Sequence, residues 1–432
     1  MISARHRRLG WEFLWISFGQ AIAVLGALFG VRILTGVLAP ETYGQLALGM
    51  TVATFVNTVV LGPLSQGAIR FYAPAREVES LPGYFAAVKR LVLQASGALV
   101  LAAIVLCLAL AWAGQYRWIG LSVAAICFAL LSGYNSTLNG MQNAARQRAV
   151  VALHQGLLSW GRFLLAAGLV LWLGASSAVA MLGYCLATVL VLLSQRWFFR
   201  RTLQAGDVPS DKTDDSQRCP WRAEILGYAW PFATWGLLAW GRLVSDRWAL
   251  QIFGTTEDVG FYAVLFQLGY YPITILAGLV TQLLGPICFQ RAGNASDPRR
   301  VRQVYMASWR MTAVALVATA VAVALAMCLH KEVFRLLVST EYHSVSKLLS
   351  GVVLAAGFFA AAQLCSFGPL SRMDSKCLAV PKNVSAAIGI LLNLLGAMWL
   401  GLAGVIIANI LFSLANLIWI ASISVRSFRE TK

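Results

Sequence analysis

Apolar residues come in stretches of roughly 20, the length a helix needs to cross a hydrocarbon core of about 30 Å. Short polar or Gly/Pro-containing turns separate them. The pattern predicts twelve spans, at 13–38, 43–63, 91–112, 118–138, 151–173, 178–198, 226–253, 260–285, 309–329, 346–367, 383–400 and 403–424. Turns such as Ala39-Pro40-Glu41 and Gly174-Ala175-Ser176-Ser177 are so short that neighbouring helices must run antiparallel. The expected fold class is an all-α polytopic membrane protein without a large soluble domain. The first apolar stretch is longer than the core of a cleaved signal peptide, so it reads as a retained first helix.

The two halves of the chain match. Arg32 precedes Gly44 much as Arg247 precedes Gly260, and Leu61-Gly62-Pro63 corresponds to Leu284-Gly285-Pro286. Gly140 answers Gly368, and Trp172-Leu173-Gly174 answers Trp399-Leu400-Gly401. The spacing between matched positions drifts by no more than a loop's length. Six spans per half is an even number, so both halves enter from the same side and form parallel repeats. The expected organisation is a lobe at 1–198, a polar linker at 199–225 carrying Asp207, Asp211, Asp214 and Asp215, and a second lobe at 226–432. Two such lobes would enclose a central cavity and work by alternating access.

Composition agrees with this class. Hydrophobic residues make up 59% of the chain and charged residues 12%, against about one quarter charged in soluble domains. The net charge of +17 is confined largely to one side. That side holds the N-terminus, the loops 64–90, 139–150, 199–225, 286–308 and 368–382, and the C-terminus. The other side holds Arg117, Lys331, Arg335 and Lys347. By the positive-inside rule both termini are cytoplasmic. Basic residues scattered over short loops suit lipid headgroups and membrane topology, not nucleic acid. The eight cysteines sit in spans or basic loops, with no spacing that suggests a disulfide framework or a metal. No P-loop, carboxylate pair or Ser/His/Asp set points to an enzyme.

Candidate chemistry lies inside the spans. Arg32, Arg162, Arg242 and Arg247 are intramembrane cations, and Asp246 is the one acid beside them. A charge at the bilayer centre costs roughly 3 kcal/mol even on the gentlest scale and is functional by default. The excess of cations calls for an anionic substrate. Arg242 and Asp246 are four residues apart on one helix face, so Asp246 is expected to temper Arg242 or to take part in coupling. Trp235 lies two turns before Arg242 on a similar face. Arg162 falls near the midplane and faces a cavity. Arg32 and Arg247 are matched in the repeat, nearer the outer ends, where an arginine can snorkel; a structural role and a place at the cavity mouth both stay open. Asn57 and Asn393 are secondary polar candidates for the cavity. Gln66, Asn135, Asn139, His154, Gln155, Gln363 and Asn409 read as interhelical hydrogen-bond formers. Glu41, Glu257 and Asp258, matched between the halves, read as helix-start signals, with a part in an outer gate as the alternative.

The segment Arg32-Ile-Leu-Thr-Gly-Val-Leu-Ala-Pro-Glu-Thr-Tyr-Gly44, continuing to Leu61-Gly62-Pro63, resembles the opening of bacterial polysaccharide transporters of the O-antigen flippase type. Asn393 followed by Trp399-Leu-Gly-Leu-Ala-Gly404 resembles their closing hairpin. That family shares a superfamily with multidrug and toxic-compound extruders and with peptidoglycan-precursor flippases, which implies two six-helix lobes about a central cavity. The resemblance implies a substrate: an oligosaccharide on undecaprenyl pyrophosphate, moved to the outer leaflet of the bacterial inner membrane for O-antigen, capsule or exopolysaccharide synthesis. It implies membrane lipids, a glycan polymerase and other envelope-assembly proteins as partners. It implies no cofactor, and coupling to an ion gradient, H+ or Na+, with no residue assigned. The competing readings are a multidrug extruder of the same fold, whose cationic cargo an arginine-rich cavity would repel, and a non-transporting scaffold of a glycan-synthesis complex.

Overall fold

The computed structural model describes residues 19, 21–144, 147–205, 221–293, 297–372 and 376–429, and among these the chain is helical with no strand. The helices are α1 (Ala21–Thr35), α2 (Pro40–Phe55), α3 (Gly62–Glu77), α4 (Leu81–Trp112), α5 (Ile119–Ala144), α6 (Arg148–Leu173), α7 (Ser177–Ala205) and α8 (Trp221–Phe253). They continue as α9 (Thr256–Leu265), α10 (Tyr271–Ala292), α11 (Pro298–Leu337), α12 (Leu349–Cys365), α13 (Phe367–Leu370) and α14 (Lys376–Arg429). Nine stretches among the described residues are long and apolar enough to cross a membrane. The expected first span is described as the shorter apolar helix α1. The seventh falls on α8, into which Arg242, Asp246 and Arg247 carry charge. The eleventh and twelfth fall on the two arms of α14, which is broken at Gly401 by φ 56° and ψ −133°. Gly396 and Gly404 then meet backbone to backbone, so the second arm folds back on the first. The matched Gly174 ends α6 with φ 105°, a conformation that costs glycine little because it has no Cβ.

The helices overrun the apolar stretches. The second span does not end at Leu61-Gly62-Pro63, nor the eighth at Leu284-Gly285-Pro286: α3 runs on to Glu77 and α10 to Ala292. Much of the expected basic loop 64–90 is therefore helical, because hydropathy marks only the part of a helix that sits in hydrocarbon. Residues 206–220, the middle of the expected linker, lie outside the described residues.

Two π-helical turns interrupt these long helices, Val56–Leu61 and Phe266–Tyr270. Each stands just ahead of a proline, Pro63 and Pro272. A proline inside a helix has no N–H to donate and its ring clashes with the carbonyl four residues back. The wider turn relieves that clash: Gly62 N–H donates to Asn57 O and Tyr271 N–H to Phe266 O, five residues back in both cases.

The chain divides into two compact units. The first takes residues up to Leu38 and Gln45–Trp240; the second takes Ala39–Gly44 and the chain from Gly241. The first is built on α5, α6 and α7, and the second on α11, α12 and α14. Leu101, Leu108 and Leu171 are more than half exposed, a surface that suits lipid and would aggregate in water. The second unit contains a reciprocal contact between matched positions of the repeat. A Cβ on Gly44 would run into the Thr256 carbonyl oxygen, and one on Gly260 into the Pro40 carbonyl oxygen. The starts of α2 and α9 thus touch through equivalent atoms, as in a two-fold contact.

Candidate functional site

The charged layer of the second unit is assembled on α8. Asp246 is 4% exposed and is the one buried carboxylate among the described residues. Tyr262 of α9 donates its hydroxyl to Asp246 Oδ2 at 2.7 Å. The Arg247 backbone N–H donates to Oδ1 at 2.7 Å, and Arg247 Nη1 lies 3.4 Å from the same oxygen. Asn409 Nδ2 donates to the Tyr262 hydroxyl at 3.2 Å and to Val405 O at 3.1 Å. The carboxylate is thus held from α8 and α9, with α14 behind them.

This arrangement corrects the expected pairing of Asp246 with Arg242. The acid pairs with Arg247 instead: Tyr262 holds Oδ2 and the Arg247 backbone N–H holds Oδ1, which turns the carboxylate toward the Arg247 side chain. The Arg242 guanidinium carbon lies 4.8 Å from the centroid of Phe359 on α12 and 5.2 Å from that of Phe412 on α14. Tyr270 adjoins it as well. Arg247 lies over Phe266 at 4.6 Å and Tyr262 at 5.7 Å. Phe266 and Tyr270 stack with centroids 4.7 Å apart at 14°. The π-helical turn that carries them at its two ends thus supplies an aromatic neighbour to each arginine. π-Turns recur at functional sites.

Ser245 and Asn393 complete the layer. Asn393 is 3% exposed and donates from Nδ2 to Ser245 Oγ at 2.9 Å, while its Oδ1 is buried without a partner. The repeat counterpart of Arg162 is Gly389, where a Cβ would lie 2.9 Å from Phe412 Cδ2. Phe412 fills the room an arginine would need there, and Arg242 covers that ring from α8.

In the first unit, Arg162 of α6 lies 4.5 Å from the centroid of Phe163 and 5.9 Å from that of Tyr184 on α7. Its Nε is buried without a hydrogen-bond partner. Neither Arg162 nor Arg242 pairs with a carboxylate among the described residues. A desolvated cation over an aromatic face gains up to about 2 kcal/mol, which holds such a guanidinium without neutralising it.

The remaining candidates separate. Arg32 is exposed on α1, unlike its repeat partner Arg247, whose side chain is 13% exposed. Trp235 is 53% exposed and belongs to the first unit, whereas Arg242 and its neighbours belong to the second. Asn57 is committed to Ala53 O at 2.9 Å and Ser132 Oγ at 2.7 Å. Asn135 and Asn139 join Gln142 and Gln195 in a buried amide network: Asn135 Nδ2 donates to Gln195 Oε1 at 2.7 Å, and Gln195 Nε2 to Asn139 Oδ1 and Gln142 Oε1. Both ring nitrogens of His154 are engaged, with Val150 O at 2.7 Å and Ser194 Oγ at 3.0 Å. Asp258 forms a reciprocal capping box with Thr255 at the start of α9. Among the described residues no group of three His, Cys, Asp or Glu could hold a metal.

Several solved structures share this fold. A multidrug resistance MATE family transporter of the MOP superfamily, in an inward-facing conformation, aligns with TM-score 0.69 at 14% identity, covering 97% of this chain and 98% of that one. The lipid II flippase MurJ, in an inward closed conformation, aligns with TM-score 0.66 at 11% identity over 98% and 89%. A point mutant of the Vibrio cholerae MATE transporter VcmN gives TM-score 0.57 at 15% identity over 99% and 98%. No curated protein matches the sequence significantly. A family defined as "Polysaccharide biosynthesis protein" matches residues 9–292, about two thirds of the chain. This multi-pass membrane protein belongs to the polysaccharide biosynthesis protein family.

Proposed function

We propose that the protein flips an oligosaccharide linked to undecaprenyl pyrophosphate from the cytoplasmic to the outer leaflet of the bacterial inner membrane, with both termini cytoplasmic. The observation that carries this reading is the state of Arg162 and Arg242. Each lies on a helix read as spanning, is packed against aromatic rings, and lacks a carboxylate partner among the described residues. A substrate pyrophosphate supplies the missing anion, and guanidinium groups match phosphate oxygens in a bidentate fork. Family membership and the likeness to a lipid II flippase support the same substrate class. Arg247, Arg32, Asn57 and Trp235 remain secondary candidates for substrate contact. A glycan polymerase and other envelope-assembly proteins are proposed partners.

Coupling to an H+ or Na+ gradient is proposed at Asp246. Neutralising this buried carboxylate weakens its hold on Arg247 and raises the positive charge of the layer. That change links ion occupancy to anion affinity.

The test is glycan export in cells that depend on this chain. Arg162→Ala and Arg242→Ala should each abolish export while the protein still reaches the membrane. Full export by both variants overturns the assignment. The likeness to a multidrug transporter supports a second reading, extrusion of amphipathic compounds. Efflux of a cationic dye that survives both substitutions, with no glycan phenotype, favours it.

A further inference from the structure

The far end of α11 holds a cluster that the flippase reading does not use. The helix is 40 residues long, so its ends are roughly 60 Å apart at 1.5 Å per residue. Its first turns carry Arg299, Arg300 and Arg302 of the basic side. Its last two turns therefore reach the opposite side, where the sequence places Arg117, Lys331, Arg335 and Lys347. Three of those four basic residues line one cavity of about 390 Å³ between the end of α11 and the 3₁₀ segment Thr340–Leu348. Membrane topology disfavours cations on this side and gives no reason for them to converge.

The cavity is built. His330 Nδ1 lies 3.0 Å from Ser346 Oγ and ties its two walls together. His343 packs edge-on against the fully buried Phe334, with centroids 6.3 Å apart at 80°. His343 Nε2 is itself buried without a hydrogen-bond partner. Lys331 and Arg335 are four residues apart, so they share one helix face, and Lys347 faces the cavity from the 3₁₀ segment. Glu332 is the only acid in the lining among the described residues. Its 3.6 Å pair with Arg335 is exposed on both sides, at 78% and 67%, and such pairs are weak and exchangeable. Three cations against one acid, with an idle ring nitrogen, form a receptor for an oxyanion. The volume falls within the ~300–1,000 Å³ of ligand pockets.

We propose that this cavity binds a phosphate-class anion on the side opposite the basic loops. Lys331 and Lys347 supply the principal charge, Arg335 turns from Glu332 to the ligand, and His343 donates from Nε2. The anion comes from one of two sources: the pyrophosphate of the carrier on arrival, which rests on the flippase reading, or the headgroup of a neighbouring lipid, which does not.

The test follows the imidazole nitrogens of the full-length, ¹⁵N-histidine-labelled protein in nanodiscs. The His343 signal is assigned by its loss in His343→Gln. In phosphatidylcholine discs, inorganic pyrophosphate should shift that signal saturably. Lys331→Gln/Lys347→Gln should raise the midpoint at least tenfold with an unchanged thermal midpoint. A shift on changing to phosphatidylglycerol discs, without pyrophosphate, assigns the site to lipid headgroups; a shift with pyrophosphate alone assigns it to the carrier. A His343 signal unmoved in every arm, or an unaltered midpoint in the folded double variant, overturns the proposal. Arg242 lies outside this cavity, so lost export in Arg242→Ala and the His343 response report on the two readings separately.

Discussion

Tyr262 holds Asp246 from α9 with a 2.7 Å hydrogen bond, and the same carboxylate is the counterion of Arg247. These two contacts differ in energetic weight. Tyr262→Phe removes one hydrogen bond to a charged group and should cost about 1.5–3 kcal/mol. Asp246→Ala strands a largely buried guanidinium and should cost about 3–5 kcal/mol. Thermal unfolding in detergent gives the order directly, and a larger loss for Tyr262→Phe would contradict the assigned pairing.

Arg242 and Arg162 should not tolerate lysine. An ammonium is a compact, strongly hydrated charge that neither stacks as a guanidinium does nor offers a bidentate fork. Export by Arg242→Lys and Arg162→Lys should fall at least about tenfold, approaching the alanine variants. Near-normal export by both lysine variants would reduce the arginines to simple positive charges.

Gly44 and Gly260 should reject even a methyl group. Gly44→Ala drives a Cβ into the Thr256 carbonyl and Gly260→Ala into that of Pro40, and such overpacking costs about 1–3 kcal/mol. Gly97, in α4, has open space around its missing Cβ. Gly97→Ala should stabilise by about 0.5–1 kcal/mol through helix propensity. The two kinds of substitution must move the thermal midpoint in opposite directions.

Gln195 ties Asn135, Asn139 and Gln142 together. Gln195→Leu leaves buried amides unpaired, at about 1–3 kcal/mol each. Chemical unfolding should show a loss well above that of Asn57→Ala, which removes a partly buried amide and leaves its acceptor, the Ser132 hydroxyl, still bonded to Ala129 O.

The sequence carried the helices because a bilayer demands long apolar runs, and it carried the turns at Gly174 and Gly401 because Trp-Leu-Gly repeats. Helix ends were not legible: α3 and α10 continue past the apolar stretches, where hydropathy falls silent. The arginines could be named from the chain, whereas their neighbours could not. Phe359 and Phe412 reach Arg242 from more than a hundred residues away, and aromatic residues are too common in spans to mark a partner by spacing. The expected Arg242–Asp246 pair failed for a related reason. Four residues apart puts both on one face, but Tyr262, sixteen residues on, decided which way the acid turned.

The turn at Phe266–Tyr270 holds its place by number. A π-turn is an α-turn with one residue too many. Were the same residues wound as an ordinary α-helix, which Pro272 opposes, everything downstream would rotate by about 100° and advance about 1.5 Å. Tyr270 would swing away from Arg242 although its own identity was untouched. The alignment of this charged layer is thus set partly by how many residues the turn takes up, a number that Pro272 helps to fix.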